Sequence, residues 1–346
     1  MNIKTNNKNL PVGLTMGDPA GISPDITILS WALRDQLKLP NFIYFGSNDL
    51  LQRRAEILKL KIKTKKVNDL DNYNVSKKSD ALMVYDIPIF EEKIGQYDKK
   101  NNQFIIDSIV TARQKISENK ISAIVTNPVN KKSLSYLGCQ YHGQTELFSF
   151  LDNKKTAVML LASDKLKVVP LTRHLPLAKV SNTITKELII TTSKIVRNSL
   201  KNYFQISNPK IFLTGLNPHA GDGGLCGMEE IKIIEPAILE LQKTGMNISG
   251  PFSADSLFNE NNLSTYDAVI CMYHDQALIP IKTISPFSAV NITLGLTTLR
   301  TSPDHGPAYL LAGTGKAHPE SLIRAINMAN SMVRNHSKGN FKDFRI

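Results

Sequence analysis

Three histidines in this chain share a setting, each a few residues beyond a short apolar run suited to a β-strand. Residues 167–171 (KVVPL) lead into TRHLP with His174, residues 211–213 into a loop with His219, and residues 267–272 (DAVICM) into YHDQ with His274. Glycines at 221, 223, 224 and 227 follow His219, so the backbone there can turn sharply and approach a ligand closely. In an open parallel sheet ligands sit outside the carboxyl ends of the strands, so imidazoles just past several strand ends can share one place. Three neutral imidazoles suit a divalent metal, which polarises a bound oxygen and lowers the pKa of a hydroxyl. His174, His219 and His274 are therefore the metal-ligand candidates. One at a time, the same residues also serve as hydrogen-bonding loop residues or acid–base groups, and their spacing is not a metal signature in itself.

A second group suits an anion. Lys282, Asn291 and Arg300 follow His274, and Arg300 is followed by Thr301 and Ser302. A guanidinium, an ammonium and small hydroxyls clamp a phosphate or carboxylate where the fold brings them together; otherwise they are ordinary surface charge. Thr126 and Asn127, past another apolar run, could add polar contacts. Cys226 lies near His219, either as a soft ligand or nucleophile or as a small packed residue. Neither GxGxxG nor a P-loop is present: Cys226 stands where the third glycine would fall, and Gly315-Lys316 is followed by Ala317.

The elements that must carry these groups alternate. Strand-like runs at 12–16, 41–45, 81–86, 122–125, 157–161, 167–171, 211–213 and 267–272 are separated by helical patterns. Ser23, Pro24 and Asp25 read as a helix start, with a capping hydroxyl, a proline in the first turn and an acid facing the positive end of the dipole. That helix should carry Ile26, Leu29, Leu33 and Leu37. Helical spacing also predicts helices over 104–119, 180–200, 229–243 (ended by Gly245) and 319–333. The alternation points to an α/β fold with a mostly parallel sheet covered on both faces.

At 346 residues the chain suits two domains or one large α/β unit. No clean linker divides it, so two domains would exchange segments. Lys and Arg number 42 against 30 Asp and Glu, giving a formal net charge of +12, compatible with nucleic acid, a membrane surface or a small anionic substrate. Much of the excess lies in residues 53–78, a Lys-rich stretch of compositional bias without basic recognition helices. No apolar run spans a bilayer, the N-terminus lacks a signal-peptide core, and Cys139, Cys226 and Cys271 form no CxxC pair. The expectation is a soluble cytoplasmic protein that binds neither membrane nor nucleic acid.

TMGDPAGISPDI, TNPVNK, GQTELF, TRHLPL, GLNPHAGDGG, MYHDQALIPIK, VNITLGL and RTSPDHG, in this order from residue 12 to 315, closely resemble the 4-hydroxythreonine-4-phosphate dehydrogenase family of vitamin B6 synthesis. The resemblance implies a two-domain α/β/α architecture like the isocitrate and isopropylmalate dehydrogenases. It implies NAD or NADP as oxidant, one divalent metal (zinc, magnesium or cobalt) on His174, His219 and His274, and a homodimer whose histidines reach that metal from both subunits. A cofactor-side domain of residues 1–140 with 295–346 and a metal-binding and dimerisation domain of 141–294 follow from it. Substrate contacts carry over to Gln144, Thr145, Lys282, Asn291 and Arg300, and cofactor contacts to Asp304, His305, Gly306 and Gly313 in DHGPAYLLAGTGKA.

The implied reaction oxidises the secondary alcohol of 4-hydroxythreonine-4-phosphate and decarboxylates the β-keto acid to 3-amino-2-oxopropyl phosphate. Lys282 is the candidate acid–base group; Asp255 and Asp275 are candidates for contact with the metal or its imidazoles. Family members usually read GHTE where this chain reads GQTE, so Gln144 replaces a histidine and cannot carry a proton or charge. His142, two positions earlier, is the candidate to compensate. Pro307 and Leu310 stand where the family has Thr and Asp. Gln144 keeps open the same chemistry on 4-phospho-threonate or 4-phospho-erythronate; a metal-dependent phosphatase is the reading from another class.

Overall fold

A computed structural model describes residues 10–71, 79–134, 143–154, 156–286 and 288–337; Cys139 and His142 lie outside them. Its strands, in chain order, are β1 (Val12–Thr15), β2 (Phe42–Gly46), β3 (Thr64–Val67), β4 (Leu82–Asp86), β5 (Ala123–Val125), β6 (Val158–Ala162), β7 (Lys167–Pro170), β8 (Ile211–Thr214), β9 (Ile248–Phe252), β10 (Ala268–Cys271), β11 (Val290–Leu294) and β12 (Arg300–Pro303). The chain divides into two compact units, residues 1–157 with 296–346, and residues 158–295. The first boundary thus falls at Ala157, and Gln144 and Thr145 belong to the first unit rather than the second.

The first unit holds the strand order β3-β4-β2-β1-β5-β12, every pair parallel. Phe42, Ile43, Tyr44 and Phe45 of β2 are all buried, as expected for a strand covered on both faces. Ile43, Phe45, Ile109, Ile124 and Phe148 join one apolar cluster, the last three supplied by the helix Asn102–Ser117, β5 and the helix Gln144–Leu151. Because the strands are parallel, the segments after β1, β5 and β12 leave from the same end of the sheet.

Two local expectations change here. The first helix spans Ser23–Ala32 and is preceded by Ile22, so Ser23 lies inside it; its hydroxyl donates to the Pro128 carbonyl at 3.0 Å instead of capping. Asp25 forms a buried ion pair with Arg54. Arg54, from the Lys-rich stretch, is fully buried among Leu50, Leu51 and Ala55 of the helix Asn48–Ile57.

The second unit orders its strands β11-β6-β7-β10-β8-β9. β6 is antiparallel to both β11 and β7, whereas β7, β10, β8 and β9 run parallel. Val168, Phe212, Val269 and Cys271 pack with Leu278 and Ile281 from the helix His274–Ile284. The helical pattern over 180–200 resolves into Val180–Thr183 and Lys186–Phe204, split where the Thr185 side chain caps the longer helix by accepting from the Leu188 N–H.

Candidate functional site

In the second unit the three candidate metal ligands follow three adjacent parallel strands. His174 comes after β7, His274 after β10 and His219 after β8, the order in which these strands pair. The β7–β10 ladder runs on beyond the strands: Leu171 N–H donates to Cys271 O at 2.8 Å, and Thr172 donates to Met272 O through both its N–H (3.3 Å) and its hydroxyl (2.8 Å). Each carries a histidine two residues further on, and the His174 and His274 rings lie 5.8 Å apart between centroids, tilted by 46°. His274 is the first residue of its helix, and its Nδ1 is 2.6 Å from Asp275 Oδ1. A carboxylate there selects the tautomer that leaves Nε2 open to a ligand.

His219 does not join that pair within one chain: among the described residues no three His, Cys, Asp or Glu side chains close on a common point. It opens a run of left-handed backbone, with φ of 52° at His219, 52° at Ala220, 83° at Gly221, 43° at Asp222 and 63° at Gly223. Three of these five carry a β-carbon, and each non-glycine held so costs on the order of 1–3 kcal/mol, which the surroundings must over-determine. Beneath the run sits Glu230, 1% exposed, whose Oε1 accepts from the N–H groups of Leu216 and Asn217, both at 2.8 Å, and whose Oε2 accepts from Asn217 Nδ2 at 3.0 Å. Glu230 belongs to a single π-helical turn, Glu230–Ile234, that enters the helix Glu235–Lys243.

Gln276 ties the two histidine-bearing strand ends together. Its Oε1 accepts from Thr214 Oγ1 at 2.6 Å and Met272 N–H at 2.7 Å, and its Nε2 donates to Gly215 O at 2.8 Å. Glu230 and Gln276 were not among the expected site residues. Asp255 follows β9 on an exposed turn and accepts from Ser253 Oγ at 2.6 Å. That bond, more than the nearby His219, holds its carboxyl below the usual range. Lys282 lies in the same helix as His274, two turns or about 12 Å along the axis from it. Asn291, on β11, has a buried Oδ1 with no hydrogen-bond partner among the described residues.

In the first unit the segments after β5 and around β12 build a polar cluster. Arg300, 3% exposed, donates to Thr126 Oγ1 from Nε (3.2 Å) and Nη2 (2.9 Å) and approaches Thr145 Oγ1 with Nη1 (3.4 Å); its guanidinium lies 5.2 Å from the centre of the Phe148 ring. Burial pushes the guanidinium down to about 10, against the opposing charge of Glu146. Gln144 donates from Nε2 to Asn127 O at 3.2 Å, and its buried Oε1 has no partner among the described residues. Gln144, Thr145 and Arg300 are thus brought together with Thr126 and Asn127.

The segment of Asp304, His305, Gly306 and Gly313 rests on the loop after β1. Ile22 N–H donates to Pro307 O at 2.9 Å, and a β-carbon on Gly21 would lie 2.6 Å from that oxygen, so close approach requires the glycine. Tyr309 Oη donates to Asp18 Oδ2 at 2.6 Å and accepts from Asn130 Nδ2 at 2.8 Å. Gly313 N–H donates to Asp25 Oδ1 at 2.7 Å, which commits that amide to the loop itself. Asp304 N–H reaches Ser321 Oγ at 3.4 Å, and His305 Nδ1 lies 3.2 Å from Gly306 O. The space over Gly306 and Gly315 is open, so their backbone is accessible, and Leu310 is 95% exposed.

Residues 38–329 match the family model described as pyridoxal phosphate biosynthetic protein PdxA. The chain is 42% identical to a 4-hydroxythreonine-4-phosphate dehydrogenase of Bradyrhizobium diazoefficiens, over 93% of this chain and 97% of that one. It is 38% identical to one of Methylorubrum extorquens, over 93% and 94%. The crystal structure of the Klebsiella pneumoniae 4-hydroxythreonine-4-phosphate dehydrogenase superposes with a TM-score of 0.82 at 31% identity, covering 94% of this chain and 99% of that chain.

Proposed function

Because this chain belongs to the 4-hydroxythreonine-4-phosphate dehydrogenase family of pyridoxal phosphate biosynthesis, an oxidoreductase family, we propose that it oxidises and decarboxylates 4-hydroxythreonine-4-phosphate to 3-amino-2-oxopropyl phosphate, using a nicotinamide acceptor and a divalent metal. The observation that carries the metal is the His174–His274 pair, 5.8 Å between ring centres and half-exposed beyond adjacent strands, with one ring nitrogen of His274 engaged by Asp275. A pair of imidazoles with a third on the neighbouring strand end is a nitrogen-rich set suited to zinc or cobalt. His219 completes it when a second subunit contributes. Leu175, Leu177 and Leu225, which are 41%, 70% and 85% exposed beside His174 and the His219 loop, suit such a partner subunit.

When bound, the metal supplies a Lewis acid for the substrate hydroxyl, and the nicotinamide supplies the hydride acceptor. The chain's own side chains do the rest. Arg300 offers a buried, pre-oriented guanidinium to an anionic group, with the Thr126 and Thr145 hydroxyls beside it. Binding energy from a phosphate held away from the reacting carbon helps to orient that carbon. Gln144 Oε1 and Asn291 Oδ1, each buried without a partner among the described residues, are acceptors for substrate N–H or O–H groups. Lys282 is the acid–base candidate and Asp255 the candidate acidic contact of the metal or its imidazoles. The backbone at Gly306 and Gly315, with Asp304 and His305, offers the surface for the nucleotide.

Purified protein given 4-hydroxythreonine-4-phosphate, NAD and cobalt should produce NADH absorbance that a chelator removes. Turnover unchanged by exhaustive chelation would overturn the metal assignment. Gln144 favours a second reading, the same chemistry on 4-phospho-threonate or 4-phospho-erythronate, because an uncharged amide stands where the family usually has an imidazole. A higher kcat/KM on either acid than on 4-hydroxythreonine-4-phosphate would select it.

A further inference from the structure

We infer that Glu230 is a positioning residue that sets the geometry of His219 and thereby the affinity of the metal site; this rests on the proposed metal role of His219. The histidine lies in five consecutive left-handed residues, three of them with β-carbons, a conformation that neither sequence preference nor solvent would hold. Backbone bonds from Ala220 N–H to Asn217 O and from Cys226 N–H to Gly221 O close the loop on itself, and one carboxylate anchors the segment that leads into it. Both Glu230 oxygens are committed to the segment just before His219, two bonds going to consecutive backbone amides and one to the Asn217 side chain. The loop closes over this carboxylate so tightly that a β-carbon on Gly215 would lie 3.0 Å from Oε1 and one on Gly221 2.7 Å from Oε2. Asn217 is gripped from the other side by Glu229 Oε2 at 2.8 Å, and Glu229 in turn accepts from Ser181 Oγ at 2.7 Å.

A carboxylate and no other side chain meets these demands. It presents two acceptor oxygens to three donors and no hydrogen of its own, whereas an amide of the same shape would face one donor with an N–H. The π-helical turn supplies the placement, since a wider turn displaces residue 230 from where a regular helix would hold it. The hydrogen bonds of Glu230 go to Leu216 and Asn217, so its effect on His219 travels through the backbone of those two residues.

Cobalt binding measured by calorimetry on the full-length protein tests this, with Glu230→Gln, the milder Asn217→Ala and the exposed control Glu235→Gln compared with the unaltered chain. Glu230→Gln should weaken cobalt about tenfold or more, Asn217→Ala less, and Glu235→Gln not at all. Hydrogen exchange at Leu216 and Asn217 should accelerate in Glu230→Gln. In a His219→Ala background, Glu230→Gln should produce no further loss of cobalt affinity. Should Glu230→Gln fail to fold, Asn217→Ala carries the same comparison. Cobalt affinity within twofold of the unaltered chain for the folded variants, or an equal further loss without His219, overturns the inference while leaving the metal reading intact. If the unaltered protein binds no cobalt, the metal reading itself is lost; the exchange measurement alone then shows whether Glu230 fixes the loop.

Discussion

The hydroxyl of Thr172 donates to the carbonyl of Met272 at 2.8 Å, two residues before a histidine on each of two neighbouring chain segments. This bond extends the β7–β10 pairing past the end of both strands and makes the separation of His174 and His274 a property of the sheet. The Thr172→Val variant keeps the shape and loses the hydroxyl, so it should weaken metal binding several-fold while leaving the fold intact. His274→Ala should abolish binding, and Asp275→Asn should cost about tenfold through the ring orientation. Calorimetric titration with cobalt distinguishes the three; undiminished binding by His274→Ala would remove that residue from the ligand set.

Arg300 makes a second, pH-dependent prediction. Burial lowers the guanidinium to about 10, so it is charged at neutral pH and loses its proton as pH rises through that value. Folding with the charged form carries a penalty at pH below the folded value, and the penalty is relieved between there and the higher unfolded one. KM for the phosphorylated substrate should therefore rise steeply above about pH 10. Arg300→Lys, which keeps the charge and loses the planar fork, should raise KM by on the order of tenfold to a hundredfold at pH 8. A KM unaltered in Arg300→Lys would place the anion elsewhere.

Tyr309 and Asp18 give a stability test. Burial raises the Asp18 carboxyl and the Tyr309 hydrogen bond opposes it, so removing the phenol hydroxyl should raise Asp18 further. Its charged form then loses its side-chain donor and keeps the Ala20 N–H, a cost present above the folded pKa and absent below the unfolded one. Tyr309→Phe should accordingly lose about 1–3 kcal/mol near pH 8 and much less near pH 4. Urea unfolding at the two pH values measures this, and an equal loss at both would show that Asp18 is not the cause.

The Arg54–Asp25 pair predicts an asymmetry. Removing one member leaves an uncompensated buried charge, so Arg54→Met should destabilise by about 3–5 kcal/mol. Asp25→Asn keeps an acceptor for Gly313 N–H and should cost less. Chemical denaturation of both variants ranks them; the reverse order would mean that the unpaired Arg54 guanidinium costs more than the unpaired Asp25 carboxylate.

Much of this was readable from residue order because buried strands are apolar runs and the histidines directly follow them. β3, β9, β11 and β12 were not, although β11 carries an alternation of Val290, Ile292 and Leu294; the other three carry no such pattern. Lys65 and Lys66 give β3 no apolar signature, β9 contains Gly250 and Pro251, and Arg300, Thr301, Ser302 and Pro303 of β12 are buried only because the fold surrounds them. Two buried charged residues, Glu230 and Arg54, left a trace in the sequence. Glu230 falls on the stripe of Ile234, Ala237, Ile238 and Leu241, so a carboxylate stands at a core position. Arg54 stands likewise among Leu50, Leu51 and Ala55. A charge on an apolar stripe marks a group with an appointed partner, and only the fold reveals which.

The first unit takes its material from both ends of the chain, residues 1–157 and 296–346. During synthesis β5 therefore emerges long before its partner β12, and the helix Glu320–His336, which covers β12, β5 and β1, comes last. On the ribosome the amino-terminal part must wait with Ile124 and Val125 lacking their cover, while residues 158–295 can already complete their own sheet. The nascent chain is thus most vulnerable to association with other chains until the helix Glu320–His336 has emerged, and a variant lacking that helix should aggregate rather than merely lose activity.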